Sequence, residues 1–316
     1  MPADHDPISR RRFLEGSAQI GAASLLAATP AVAAAAADQK LGFFVIGDWG
    51  RHGAHHQTAV GRAMAAAAAE SDPRFIVSAG DNFYESGVTS IHDPQWRSSF
   101  EDVYSEAALQ RPWHVILGNH DYRGDVEAQI DYSKLSHRWH LPARYYTRTK
   151  TLPDRSDAEI FYLDTSPFIR KYLGTSTRIE GQNPHAQREW LDTALGRSTA
   201  RWKIVIGHHP IYTTLGGAGH DQPDLIAAIE PLLRRHRVKL YINGHDHTMQ
   251  YVEMGGIAYV TTGAGSETYT PGPASRTGFV SGAHGFLACA ATKDAIGLDF
   301  IDSTGRSLFR NTITAA

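Results

Sequence analysis

The sequence predicts an α/β protein with central β-sheets flanked by helices, mostly parallel in its first part and antiparallel at its C-terminal end. Three observations predict it. Short apolar runs alternate with helix-like segments from residue 41 to residue 242, the pattern of strand–helix–strand units that build a parallel sheet. Five of those runs end in Gly followed at once by Asp, Asn or His. From residue 251 onward, strand-like runs succeed one another without helices between them, which favours antiparallel pairing through short turns.

The expected strands of the parallel part are 41–46, 75–79, 113–117, 159–163, 202–206 and 239–242. Each is short and apolar, as strands covered on both faces are. Helix-like segments lie between them at 57–70, 95–104, 126–135, 186–195 and 224–236, and the first is rich in Ala, the strongest helix former. The closing strands are expected at 251–253, 257–261, 285–290, 296–301 and 307–312, as a second sheet packed on the first. Two Gly-punctuated stretches, 173–184 and 262–285, read as long surface loops, which in a compact domain tend to be functional or mobile.

Composition bounds the rest. A chain of 316 residues with 42% hydrophobic and 20% charged residues can bury a large core. The formal net charge of −2 offers no basic field for nucleic acid or for an anionic membrane. Ser9-Arg10-Arg11-Arg12-Phe13-Leu14-Glu15 precedes an Ala-rich stretch containing Ala31-Val32-Ala33. Residues 1–37 therefore read as a twin-arginine-type signal peptide, to be handled by the twin-arginine export machinery, with Glu15 standing where the pattern usually has Lys. That route leads to a periplasmic or secreted product, and residues 38–316 are expected to form one catalytic domain. No later run reaches the length needed to span a bilayer. The one cysteine, Cys289, rules out an intramolecular disulfide and reads as a buried thiol.

The strand ends carry the chemistry. They read Gly47-Asp48-Trp49-Gly50, Gly80-Asp81-Asn82-Phe83-Tyr84, Gly118-Asn119-His120-Asp121, Gly207-His208-His209-Pro210 and Gly244-His245-Asp246-His247. One Gly-Asp after a strand is an ordinary turn; five strands ending alike are not. Asp81 follows Asp48 by 33 residues and Asn119 follows Asp81 by 38, about one strand–helix–strand unit each. At a shared sheet edge these loops converge. Asp48, Asp81, Tyr84, Asn119, His208, His245 and His247 are then too many donors for one tetrahedral ion and suit two. Carboxylate, amide, imidazole and phenol donors without thiolate select Fe, Mn or Zn. His52, His55, His56 and His137 read as solvated histidines.

Taken together, the five blocks resemble the purple acid phosphatases, within the calcineurin-like metallophosphoesterases, and most closely the small tartrate-resistant type. Further likeness runs through residues 100–104, 128–133, 163–165 and 307–309. The resemblance implies a four-layer metallophosphoesterase-like sandwich. It also implies that Asp48, Tyr84 and His247 hold Fe(III), that Asn119, His208 and His245 hold a divalent metal (Fe, Zn or Mn), and that Asp81 bridges them. The wider superfamily carries His two residues after the first Asp, where this chain has Gly50; Tyr84 takes the place of that ligand. The implied reaction is hydrolysis of a small phosphate ester by attack of a metal-bound hydroxide at acid pH. His120 would donate to the phosphoryl oxygens, and a second histidine, His220 with His209 as the fallback, would protonate the leaving group. Tyr122 and His209 replace the small animal enzymes' His and Tyr at what is expected to be the pocket rim. The alternatives are a phosphodiesterase or nucleotide hydrolase on the same site, and a non-hydrolytic iron- or phosphate-binding or redox protein.

Overall fold

A computed structural model of the chain describes residues 40–215 and 221–315, so the expected signal peptide lies outside the described residues. Among these, fourteen strands form two seven-stranded sheets. The first is built on β1 (Leu41–Ile46), β2 (Phe75–Ser78), β3 (Trp113–Val115) and β4 (Trp139–His140), all parallel. Its other half is β12 (Gly285–Ala291), β13 (Ala295–Asp302) and β14 (Ser307–Thr314), antiparallel, and the order is β14-β13-β12-β1-β2-β3-β4. The second sheet contains β5 (Tyr146–Thr151), β6 (Asp157–Tyr162), β7 (Trp202–Ile206), β8 (Leu240–Asn243), β9 (Met249–Met254), β10 (Ile257–Thr262) and β11 (Gly278–Ser281). Its order is β11-β9-β10-β8-β7-β6-β5, with β6, β7, β8 and β10 parallel.

The α/β class is as the sequence predicts and most of the closing strands are antiparallel, but β10 also pairs parallel with β8 and the allotment of strands differs. The parallel strands are shared between two sheets, and the C-terminal strands complete both rather than forming a sheet of their own. Side-chain alternation along β6 explains the layering. Ile160 and Tyr162 join the core between the sheets, whereas Phe161 joins a separate core with Leu191, Leu195, Leu225 and Leu233. These come from helices α3 (Pro184–Arg197), α4 (Pro223–Ala228) and α5 (Glu230–Arg235). Helix α1 (Gln57–Ser71) packs Val60, Met64 and Ala68 on the first sheet's side, giving four layers.

Smaller differences have local causes. The helix predicted over 224–236 is two, with Pro231 at the start of the second; a proline there lacks the N–H that would continue the ladder. Residues 95–104 hold only a single π-helical turn, Trp96–Glu101, and 126–135 shortens to α2 (Val126–Tyr132). Strand β11 lies inside the stretch 262–285 that reads as a loop. Strand β5, Tyr-Thr-Arg-Thr-Lys-Thr, ends the second sheet and carries the polar and charged residues that keep an edge from pairing further. Cys289 is free and buried, and burial pushes its thiol well up.

The two sheets are stitched together at the ends of β1 and β10. The Gly47 N–H donates to the Thr262 carbonyl at 2.9 Å, and the Gly265 N–H to the Gly47 carbonyl at 3.1 Å. This junction brings loops from both sheets to one place.

Candidate metal centre

Three strand-end loops of the first sheet and two of the second meet at this junction. Asp48, Asp81 and His245 each follow a strand-end Gly and have φ of 61°, 50° and 68°, a left-handed conformation uncommon outside Gly. Strain of this kind concentrates at functional sites. The Asp48 N–H donates to the Gly80 carbonyl at 3.0 Å, and the His245 N–H to Asp48 Oδ2 at 2.9 Å. Close approach demands the glycines: a Cβ on Gly80, itself at φ 91°, would sit 2.6 Å from His208 Nδ1.

One half of the centre gathers around the Tyr84 hydroxyl. It lies 2.9 Å from Asp48 Oδ1, 3.1 Å from Asp81 Oδ2 and 3.0 Å from His247 Nε2. In the other half, His208 Nε2 is 3.3 Å from Asp81 Oδ2, and the His208 and His245 rings stand edge to face at 5.2 Å. His208 Nδ1 donates to the Ala79 carbonyl at 2.8 Å, which fixes the tautomer and aims Nε2 at the centre. Asp81 thus stands between both halves, with its other oxygen accepting from the His120 N–H at 2.7 Å.

The residues fit a pair of cations. Two buried atoms, Asn119 Oδ1 and His208 Nε2, have no hydrogen-bond partner among the described residues; the 3.3 Å approach of His208 to Asp81 is within ion-pair reach but lacks hydrogen-bond alignment. A buried polar atom left without a partner costs about 1–3 kcal/mol, and bound cations would satisfy both. Asp48, Asp81 and His208 offer donor atoms within 4.8 Å of one another, as do His208, His209 and His245.

The electrostatics of the metal-free centre point the same way. Burial alone would raise the Asp81 carboxyl, but His208, and then His120 and His245, hold it well below the usual carboxylate range. Burial opposes protonation of His208, yet the adjacent Asp81 pushes it up to about 9. His247 is raised in spite of burial by Asp48. Burial and then the carboxylates of Asp48 and Asp81 push the Tyr84 phenol far up. Imidazole and phenol must deprotonate to ligate, so metal binding by these groups would be linked to proton release. His245, by contrast, is kept neutral by burial and by the His208 charge.

His120 is outside the donor set. Its Nδ1 lies 2.7 Å from the Glu85 carbonyl, its ring is 4.4 Å from that of Tyr84, and the side chain is 17% exposed. His220 lies outside the described residues. His209 is fully buried, with Nδ1 2.8 Å from Thr165 Oγ1 and Nε2 2.9 Å from Tyr172 Oη. Burial and then the neighbouring His245 and His208 hold it well below its ordinary range, so it packs behind His245 and is poorly placed to hand a proton to a leaving group. Tyr122 is also buried, donating to Asp164 and accepting from Arg144 Nη1 at 2.9 Å. The rim position expected for His209 is therefore corrected, since it packs behind the centre, whereas Tyr122, though buried, lines the groove beside it.

Several supporting residues carry no motif of their own. Arg51 is nearly buried, with its guanidinium 3.9 Å from the centre of the Tyr84 ring and ion pairs to Glu85 at 2.6 Å and Glu267 at 3.0 Å. Asp121 accepts from the N–H groups of Asn82 and Gly118 and from Gln129 Nε2, tying the second and third loops together. Asn82 Nδ2 in turn donates to the Ile116 carbonyl at 2.9 Å. Beneath them Trp49, Phe83, Trp96, Phe100, Trp113 and Trp139 form one aromatic cluster, and Trp49 Nε1 donates to Ser78 Oγ at 2.7 Å. Trp49, Asn82, Phe83 and Asp121 stand inside the strand-end blocks and Arg51 directly after the first, whereas Trp96, Phe100, Trp113 and Trp139 lie outside the blocks and only the fold brings them together.

Known proteins agree with this geometry. The family model of the calcineurin-like phosphoesterases matches residues 41–249. Purple acid phosphatase 4 of Arabidopsis thaliana is 35% identical over 86% of this chain and 83% of its own length. Tartrate-resistant acid phosphatase type 5 of Sus scrofa is 33% identical, covering 86% of each chain. Among solved structures, GAP50, the anchor in the inner membrane complex of Plasmodium, superposes with a TM-score of 0.77 at 26% identity over 88% of this chain and 89% of its own. The yellow lupin seed purple acid phosphatase shares the fold at a TM-score of 0.64 and 14% identity, over 87% of this chain and 54% of its own. With that match spanning the metal-centre loops and relatives a third identical over most of their length, the chain belongs to the calcineurin-like phosphoesterases and, within them, to the purple acid phosphatases.

Proposed function

We propose that the protein is an exported acid phosphatase with two metals, hydrolysing small phosphomonoesters by attack of a metal-bound hydroxide. The observation that carries this reading is the meeting of Asp48, Tyr84 and His247 with His208 and the unpartnered Asn119 Oδ1 on either side of Asp81. Asp48, Tyr84 and His247 would hold Fe(III), Asn119, His208 and His245 a divalent Fe, Zn or Mn, and Asp81 both. Bound there, such a pair supplies charge for the phosphate and an acidified water as nucleophile.

The chain's own residues do the rest. His208 is oriented by the Ala79 carbonyl and Asp81 by the His120 N–H, so neither needs to reorganise on binding. His120, the partly exposed imidazole beside Asp81, would donate to the phosphoryl oxygens. His220 remains our candidate for the proton donor to the leaving group. Residues 1–37 as a twin-arginine signal would place the enzyme in the periplasm or outside the cell, with 38–316 as its one catalytic domain.

The test is to purify the protein, measure its metals and visible spectrum, and assay a mono- and a diester of one chromogenic alcohol across pH. Two metals, a phenolate-to-iron band and faster monoester hydrolysis in acid are expected. Faster diester hydrolysis would move the protein to the phosphodiesterases, and hydrolysis of neither would remove the enzyme reading.

A further inference from the structure

Beside the metal centre runs a groove of about 790 Å³, lined on one side by Glu85, Asp125 and Glu127 and by the guanidinium groups of Arg123, Arg144 and Arg178. Two of its lining residues reach His120, whose Nδ1 lies 2.7 Å from the Glu85 carbonyl and 3.1 Å from Arg123 Nη1. All three carboxylates are engaged. Glu85 pairs with Arg51 at 2.6 Å, Glu127 with Arg144 at 2.7 Å, and Asp125 caps α2 by accepting from the Ala128 N–H at 3.1 Å.

Among the described residues, Arg123 and Arg178 have no carboxylate partner; they bond to backbone carbonyls and, for Arg123, to His120 Nδ1. Arg123 Nη1 reaches the Glu85 carbonyl at 3.4 Å, and its Nε is buried without a partner. Arg178 Nη2 donates to the carbonyls of Arg123 and Gly124 at 2.7 and 2.8 Å, which carries a cation from the 173–184 loop over to the wall of the groove. Two guanidiniums without a carboxylate, held by backbone next to the phosphate-binding His120, form a ready anion site.

We infer that this groove is a leaving-group subsite, and that the preferred substrates are phosphomonoesters whose leaving group carries a second phosphate. This rests on the phosphatase reading above. The scissile phosphate would lie at the metal centre, and the second one would be met by Arg178, with Arg123 between the two sites. Water adds to the scissile phosphorus and the phosphorylated alcohol leaves with a proton, so no further reactant is required.

The test compares fructose 1,6-bisphosphate with fructose 6-phosphate on the metal-loaded enzyme. The wild type should favour the bisphosphate in kcat/KM by about tenfold or more, the scale of a charge-assisted contact. That ratio should fall as salt rises from about 50 to about 500 mM. Arg178→Gln keeps a donor for the two carbonyls but removes the charge. It should collapse the ratio toward unity, mainly through KM for the bisphosphate. An unchanged ratio, including one in which both substrates slow alike because the loop has lost its brace, would overturn the subsite. No hydrolysis of either sugar phosphate by the wild type would instead strike the phosphatase reading itself.

Discussion

Replacing Tyr84 with Phe removes one oxygen and little volume, so its effects separate ligation from packing. In the metal-free protein that hydroxyl has one proton to share between Asp48 Oδ1 at 2.9 Å and Asp81 Oδ2 at 3.1 Å, and it lies 3.0 Å from His247 Nε2. A hydrogen bond to a charged group contributes about 1.5–3 kcal/mol. Taking about 2 kcal/mol, and about 2–4 °C per kcal/mol for a protein of this order of size, the melting temperature of the metal-free variant should drop by about 4–8 °C. In the loaded protein the other candidate ligands, Asp48, Asp81, Asn119, His208, His245 and His247, remain, so both metals should stay while the visible band disappears. Elemental analysis, the absorption spectrum and a thermal melt with and without metal read these effects separately. A variant with two metals and an unchanged band would show that Tyr84 is not the iron donor. An unchanged metal-free melt would show that its hydroxyl is not engaged with the two carboxylates.

Three further outcomes are expected. His120→Ala should keep both metals and lower kcat by roughly 10², the scale of lost acid–base or electrostatic help, and wild-type turnover would remove His120 from the mechanism. His114 is buried in the core against Phe75 and Tyr162, and burial, then Lys150, pushes it down to about 3. A folded-state value below the unfolded one, near 6.5, means that stability present above pH 6.5 is lost as pH falls toward 3, by up to about 5 kcal/mol; His114→Gln should flatten that slope in melts across pH, and parallel slopes would refute the assignment. Gly50→Ala places a Cβ 1.9 Å from the Asn82 carbonyl oxygen, and overpacking against backbone should cost at least about 1–3 kcal/mol by denaturant melt; wild-type stability would refute the close contact.

The strand ends were legible because each carries its signal locally: an apolar run, a Gly and a polar donor within a few residues. The division of those strands between two sheets was not, since Trp202–Ile206 and Leu41–Ile46 read alike as buried strands whichever sheet they join. The deciding contacts, Gly47 with Thr262 and Gly265 with Gly47, are backbone bonds between residues over two hundred positions apart, and no side chain announces them. The same limit hid the supports of the site. Arg51 over Tyr84 and Asp121 beneath Asn82 act through three-dimensional proximity. His209 illustrates the reverse case, where a residue type suited to proton transfer is taken out of that role by burial and by two filled ring nitrogens.

Gly50 and Tyr84 are two readings of one structural fact. In the sequence they stand apart, as a missing histidine in the first block and a phenol at the end of the second. In the fold the Tyr84 N–H donates to the Gly50 carbonyl at 2.8 Å, and the chain at Asn82 and Phe83 presses on the Gly50 Cα so closely that no Cβ fits. The loop that delivers Tyr84 to Asp48 and His247 therefore fills the space that a side chain at position 50 would need. Exchanging the phenol for an imidazole at this centre would require moving the 82–84 backbone along with the change at position 50. That segment is held by Asp121, which accepts from the Asn82 N–H, by the Ile116 carbonyl, which accepts from the Asn82 side chain, and by the Trp49–Phe83 ring contact. The position of the Tyr84 hydroxyl beside Asp48 and His247 is thus set by the packing of the second loop on the first, and that loop and the aromatic core beneath it are parts of one arrangement.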